Sequence, residues 1–228
     1  AEENFVSEKN AVYYANLYKK DGLKGGHIII LNAGGSEFFK ESKKQAIEAL
    51  SAYPKGMQIG GGVTAVNAQD YIKAGASHVI VTSYVFKDGR VNYGNLKSLV
   101  EAVEKERIVL DLSCRKKDGQ YYIVTDRWQK FTDEVVNIET LKKLSEYCDE
   151  FLIHGVDVEG KSGGMEEDLV AMLSEFNDIP ITYAGGISTM EQIERFREIS
   201  NGKMDFTIGS ALDLFGGKLP YDKVKEQF

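Results

Sequence analysis

Residues 107–115, RIVLDLSCR, read as a buried strand that ends in an acid. Ile108, Val109 and Leu110 form the short apolar run of a strand covered on both faces, and Asp111 stands where that run stops. The carboxyl end of such a strand is where α/β barrels keep their chemistry. Two similar stretches flank it, QIGGGVTAVNAQDYIKAGASHVIVTS (58–83) and TYAGGISTMEQIERFREISNGKMDFTIGS (182–210). Each runs from a strand through glycines into a helix and then to a second strand with a hydroxyl at its end.

Working outward, Ser7 and Asn10 are candidate caps for a helix reaching to residue 20, and HIIILN (27–32) is an apolar strand. Helices are expected over 37–52, 64–74 and around Leu96 to Val103, with strands near 58 and over 78–83. After RIVLDLSCR the alternation pauses, and DGQYYIVTDRW suggests a hairpin-like excursion. The next helix lies around Leu141 to Tyr147, the next strand is FLIHGV (151–156), and a helix covers 169–176. PITYAGG, a helix over 189–199, MDFTIGS, a short ALDLF turn and a polar tail complete the chain.

Seven strands alternating with helices argue for a parallel sheet. The count suits an open doubly wound sheet as well as a barrel; the internal repeat decides. Superposing Gly61 on Gly185 relates the two stretches at an offset of about 124 residues, the size of a half-barrel of four β/α units. The expected fold is therefore a TIM (β/α)8 barrel, a single domain over residues 1–228, with its first strand upstream of residue 1.

The balance of 28 Lys and Arg against 35 Asp and Glu gives a net charge of −7, which provides no global field for nucleic acid or anionic lipid. The two cysteines, Cys114 and Cys148, are too few for a disulfide framework and read as reduced thiols, which fits a cytoplasmic protein. No apolar run is long enough to span a membrane. No cluster of His, Cys and carboxylates has metal-ligand spacing, so no metal is expected, and a monomer is expected.

The chemistry is expected at the strand ends. Glycines 60–62 and 185–186 would let backbone N–H groups approach a phosphate beside a helix N-terminus, with Ser83 and the Gly209-Ser210 pair at the matching second strand ends. The alternative is that these glycines only make tight turns. Two such sites imply a substrate with a phosphate at each end. Asp111 is the candidate acid/base group; the alternative is an ion pair with Arg115 or Lys116. Cys114 reads as a small buried side chain. Trp128, the single tryptophan, suits either a core or stacking on a planar heterocycle. His154 ends its strand as Asp111 does, whereas His78 begins one and is expected at the opposite, structural end. Asp157 and Glu159 follow in the loop after FLIHGV and are solvated unless they touch substrate.

VLDLSCR, the Trp128-Gln129 pair, FLIHGVDVEG with its later glycine pair, YAGG and DFTIGSALDLFGG together resemble the ProFAR isomerases of histidine biosynthesis, in the form typical of fungi and plants and found in some bacteria. NFVSEKNAVYYANLYK and GASHVIVTS extend that likeness almost from end to end. The resemblance implies a TIM barrel and a cofactor-free Amadori rearrangement of an aminoaldose to an aminoketose. It implies Asp111 as the general acid that opens the ribose ring. Gly61, Gly62 and Ser83 would hold one phosphate, and Gly185, Gly186, Gly209 and Ser210 the other. Trp128 would stack on the heterocycle, with Arg115, His154 and Glu159 near the substrate. It also implies a second Asp on the first strand, which is expected to precede residue 1. Two other readings compete: the related cyclase of the same pathway, and a non-catalytic phosphosugar-binding barrel if the first strand is truly absent.

Overall fold

A computed structural model describes residues 5–158 and 164–228. The central sheet has seven strands: β1 (Gly26–Ile29), β2 (Met57–Gly60), β3 (His78–Val81), β4 (Ile108–Asp111), β5 (Glu150–His154), β6 (Ile181–Ala184) and β7 (Asp205–Thr207). They neighbour one another in chain order, and β1–β2, β2–β3, β5–β6 and β6–β7 pair in parallel. A doubly wound sheet reverses its winding at a switch point, whereas a barrel winds in one direction. Sequential order is therefore the barrel pattern, and the fold class is the one the repeat implied.

The chain divides into two compact units, one holding residues 7–85 and 92–109 and the other the rest of the described chain. The division falls within β4. Ile108, Val109 and Leu110 are fully buried there, as the apolar run required. Burial of side chains this size is worth roughly 1.5–3 kcal/mol each.

Side-chain caps begin several helices, Asn10 among them as its sequence position suggested. Asn10 accepts the Tyr13 N–H ahead of the helix Ala11–Lys20, and Thr189 accepts the Gln192 N–H ahead of Met190–Ser200. Asn92 and Asn137 do the same for Tyr93–Val103 and Ile138–Leu144. Among the described residues no helix is long and apolar enough to cross a membrane.

Four expectations need correction. The strand read over 27–32 ends at Ile29, and Ile29 and Leu31 are exposed. The helix read from Thr64 begins at Ala68, because residues 64–67 form a loop that Asn67 closes with its side chain. The polar tail contains the helix Tyr221–Lys225, which buries only Tyr221 and Val224, too few apolar positions to show a period. The excursion after β4 is a three-stranded antiparallel sheet (Cys114–Lys117, Gln120–Thr125, Lys130–Val135), not one hairpin. Asp118 and Gly119 both have positive φ, the type I′ geometry that joins its first two strands. The third strand escaped notice because its alternation is inverted: Phe131 faces out, while Thr132 is buried with its hydroxyl donating to the Ile123 carbonyl at 2.8 Å.

Candidate active site

Within the second unit, β5, β6 and β7 end level. His154 pairs with Ala184, and Ala184 with Thr207, so their carboxyl ends form one row. The Leu112 N–H donates to the Leu152 carbonyl at 2.9 Å and ties the end of β4 to β5. Asp111, half-buried, and His154, also half-buried, thus end neighbouring strands.

Asp111 accepts a hydrogen bond from the Ser113 hydroxyl at 2.8 Å. The cations considered as ion-pair partners for it go elsewhere. Arg115 Nε donates to Asp157 Oδ1 at 2.9 Å, and Lys116 Nζ pairs with Asp168 Oδ2 at 2.8 Å. The Lys116 backbone N–H donates to the other oxygen of Asp157 at 3.0 Å, so one carboxylate holds two consecutive residues. The guanidinium carbon of Arg115 lies 5.7 Å from the centre of the Phe131 ring. Nε is thereby engaged and the guanidinium lies near an aromatic ring, which restrains a group able to bind anions through its two terminal nitrogens.

Trp128 lies outside the core at 37 % exposure. It sits in a turn where Asp126, Arg127 and Trp128 all have positive φ, a conformation that costs roughly 1–2 kcal/mol per non-glycine residue. The Gln129 N–H donates to Thr125 O at 3.1 Å, and Lys130 pairs with Asp126 across the turn at 2.6 Å. The indole stands edge-on to the His154 ring, with centroids 5.0 Å apart. Two residues read separately as mouth contacts are therefore in contact with each other. Glu159 lies outside the described residues.

Cys114 is buried beside this row. Burial, with the nearby Asp111, Glu166 and Asp157 carboxylates adding to it, pushes its thiol far above the ordinary range, so it is no nucleophile. Tyr121 donates to Glu166 Oε2 at 2.9 Å, and the Glu166 N–H donates to the hydroxyl of fully buried Tyr183 at 3.0 Å. Burial first and the Glu166 bond second raise the Tyr121 hydroxyl.

The glycine pairs match in backbone as well as in sequence. Gly61 and Gly62 have φ of +98° and +66°, Gly185 and Gly186 +118° and +77°. In each pair the first glycine also lies against a neighbouring strand's backbone: a Cβ on Gly61 would overlap the Ile30 carbonyl, and one on Gly185 would meet the Gly155 carbonyl oxygen at 2.7 Å. Tight packing is therefore a sufficient reason for Gly61 and Gly185. It is not for Gly209, whose φ lies outside the left-handed region and whose Cβ would meet nothing within 4 Å.

The hydroxyls that follow the glycine pairs also have structural work. The Thr64 oxygen accepts the Val66 N–H, Thr189 caps its helix, and both the Ser188 N–H and its hydroxyl meet Gln192 Oε1. Ser83 and Ser210 are exposed. Sequence reasoning missed Ser113 and the clamp at Asp157. The only signal for Ser113 was a hydroxyl two residues beyond the acid.

Residues 1–220 match the family described as histidine biosynthesis protein. The chain is 55% identical over 221 residues to a chloroplastic phosphoribosyl imidazole-4-carboxamide isomerase of Medicago truncatula, covering 97% of this chain and 69% of the relative. It is 44% identical over 218 residues to the isomerase of the same name from Neurospora crassa (94% and 82% covered). To that of Saccharomyces cerevisiae it is 42% identical over 222 residues (95% and 82%).

Proposed function

The chain belongs to the histidine biosynthesis protein family, and from that membership we propose that it catalyses the Amadori rearrangement of ProFAR with Asp111 as its general acid. The enzyme is an isomerase of histidine biosynthesis, as its relatives in plants and fungi are named. Those names favour the isomerase over the cyclase and over a non-catalytic binder.

The observation that carries the site assignment is the strand-end row. Asp111 and His154 end neighbouring strands, Trp128 leans on His154, and Arg115, on the strand that follows Asp111, is held by Asp157. In the proposed reaction Asp111 gives a proton to the ribose ring oxygen. The C1–O bond breaks with its electron pair passing to that oxygen, and the nitrogen lone pair forms the C1=N bond of a Schiff base. A base other than Asp111 then takes the C2 proton, and the enaminol that forms tautomerises to the aminoketose. Acid/base assistance of this kind contributes roughly 10²–10⁴ in rate.

Gly185, Gly186, Gly209 and Ser210 are assigned to one phosphate, and Gly61, Gly62 and Ser83 to the other. The paired positive-φ glycines support this, as does the glycine at 209 that the fold does not demand. Trp128 and His154 are assigned to the heterocycle and Arg115 to an anionic group. We also propose that the protein acts in the cytoplasm as a monomeric, single-domain barrel on this small bisphosphorylated substrate. The test is turnover of ProFAR followed by absorbance, with Asp111→Asn as the control. Loss of at least about 100-fold in kcat is expected, and turnover by Asp111→Asn at the wild-type rate would remove Asp111 from the mechanism.

A further inference from the structure

Ser113 is fully buried, and its hydroxyl donates to Asp111 Oδ1 at 2.8 Å. The other buried serines among the described residues place their hydroxyls on backbone carbonyls: Ser77 on Met57, Ser174 on Ala171 and Ser200 on Arg197. Ser113 instead meets the carboxyl group assigned to the chemistry. Its place is fixed from both directions along the chain. The Leu112 N–H is bound to Leu152 O, the Ser113 carbonyl accepts the Val124 N–H at 2.8 Å, and Cys114 is paired with Ile123. The hydroxyl is therefore delivered to Asp111 by a rigid segment with little freedom to turn elsewhere.

We infer that Ser113 is the positioning residue of the acid, holding the Asp111 carboxyl by Oδ1 so that the transferable proton resides on Oδ2. This rests on the reading of Asp111 as the general acid. A carboxyl protonated on Oδ1 would set its own hydrogen against that of the serine hydroxyl. Protonation on Oδ2 keeps the bond and fixes the rotation of the carboxyl group. When the Oδ2–H bond breaks and the proton passes to the ribose ring oxygen, the carboxyl becomes a carboxylate. The Ser113 bond then changes from neutral to charge-assisted and strengthens as the proton leaves. An interaction that grows along the reaction raises kcat and leaves ground-state binding alone.

The experiment is steady-state kinetics of ProFAR isomerisation by the full-length enzyme, with melting curves, for wild type, Ser113→Ala and Ser113→Thr. Ser113→Ala is expected to lower kcat about 10- to 100-fold with KM changed less than about twofold, a share of the acid's own contribution. Ser113→Thr, which restores the hydroxyl, is expected to recover most of that loss. If the alanine variant does not fold, Ser113→Cys, similar in size with a much weaker donor, takes its place with the same split expected. Wild-type kcat in the variant lacking the hydroxyl overturns the inference. So does a loss that appears chiefly in KM, or a threonine variant that melts as wild type does yet remains as slow as alanine. Absence of isomerisation by the wild-type enzyme, or wild-type rates from Asp111→Asn, would instead overturn the functional reading itself.

Discussion

Replacing Gly209 and Gly185 separately by alanine distinguishes a glycine kept for a ligand from one kept for the fold. At Gly185 the methyl would have to occupy a φ of +118° and lie 2.7 Å from the Gly155 carbonyl oxygen. The backbone strain costs about 1–3 kcal/mol, and overpacking against a backbone atom that cannot swing aside adds about 1–3 kcal/mol. A loss of about 2–6 kcal/mol is expected, enough to lower the melting temperature by many degrees in a domain of marginal stability. At Gly209 neither penalty applies, and alanine is expected to stabilise the chain by about 0.4–1 kcal/mol through the unfolded state. Its methyl would stand where a phosphate is proposed to approach the backbone. Losing one hydrogen bond to a charged group costs about 1.5–3 kcal/mol, or roughly 10- to 100-fold in affinity. Urea unfolding and KM for ProFAR measure the two effects on the same preparations. A Gly209→Ala variant with wild-type stability and wild-type KM would refute the placement of a phosphate there, and one that unfolds would refute the steric argument.

Releasing Arg115 by Asp157→Asn is expected to raise KM about tenfold with a smaller change in kcat, since a charged hydrogen bond of about 1.5–3 kcal/mol that orients a binding group is lost; steady-state kinetics check it. Trp128 is the only tryptophan, so its emission should respond to substrate, and Trp128→Phe should retain more affinity than Trp128→Ala if the ring stacks; a fluorescence titration without spectral change would count against stacking. Cys114 and Cys148 are both buried, and the Cys114 thiol is raised by burial and by neighbouring carboxylates. Neither thiol should react with a thiol-disulfide reagent at pH 8 until the protein is unfolded, which thiol counting with and without denaturant will show.

How much of the site could be read in advance depended on whether a signal was local. The end of β4 was legible because three apolar residues and an acid carry the whole message within four positions, and the burial of Ile108 to Leu110 bears it out. The glycine pairs were legible through their duplication, and the matching signs of φ in both copies support the repeat. The clamp was not legible, because Asp157 lies 42 residues from Arg115 and only the pairing of β4, β5 and the excursion between them brings the two together. The third strand of that excursion was hidden by an inverted alternation, with Thr132 inside and Phe131 outside.

The hydroxyls that follow the two glycine pairs call for a different conclusion. Thr64 and Thr189 accept backbone N–H bonds, and Ser188 is engaged by Gln192. Capping requires the same residue types at the same positions as anion binding does, because both satisfy the unpaired N–H groups of a helix start. A hydroxyl that accepts a backbone N–H after each glycine pair is therefore what a duplicated half-barrel would retain with or without a ligand. What distinguishes the two uses is a residue that the fold itself does not require, and Gly209 meets that condition where Gly61 and Gly185 do not.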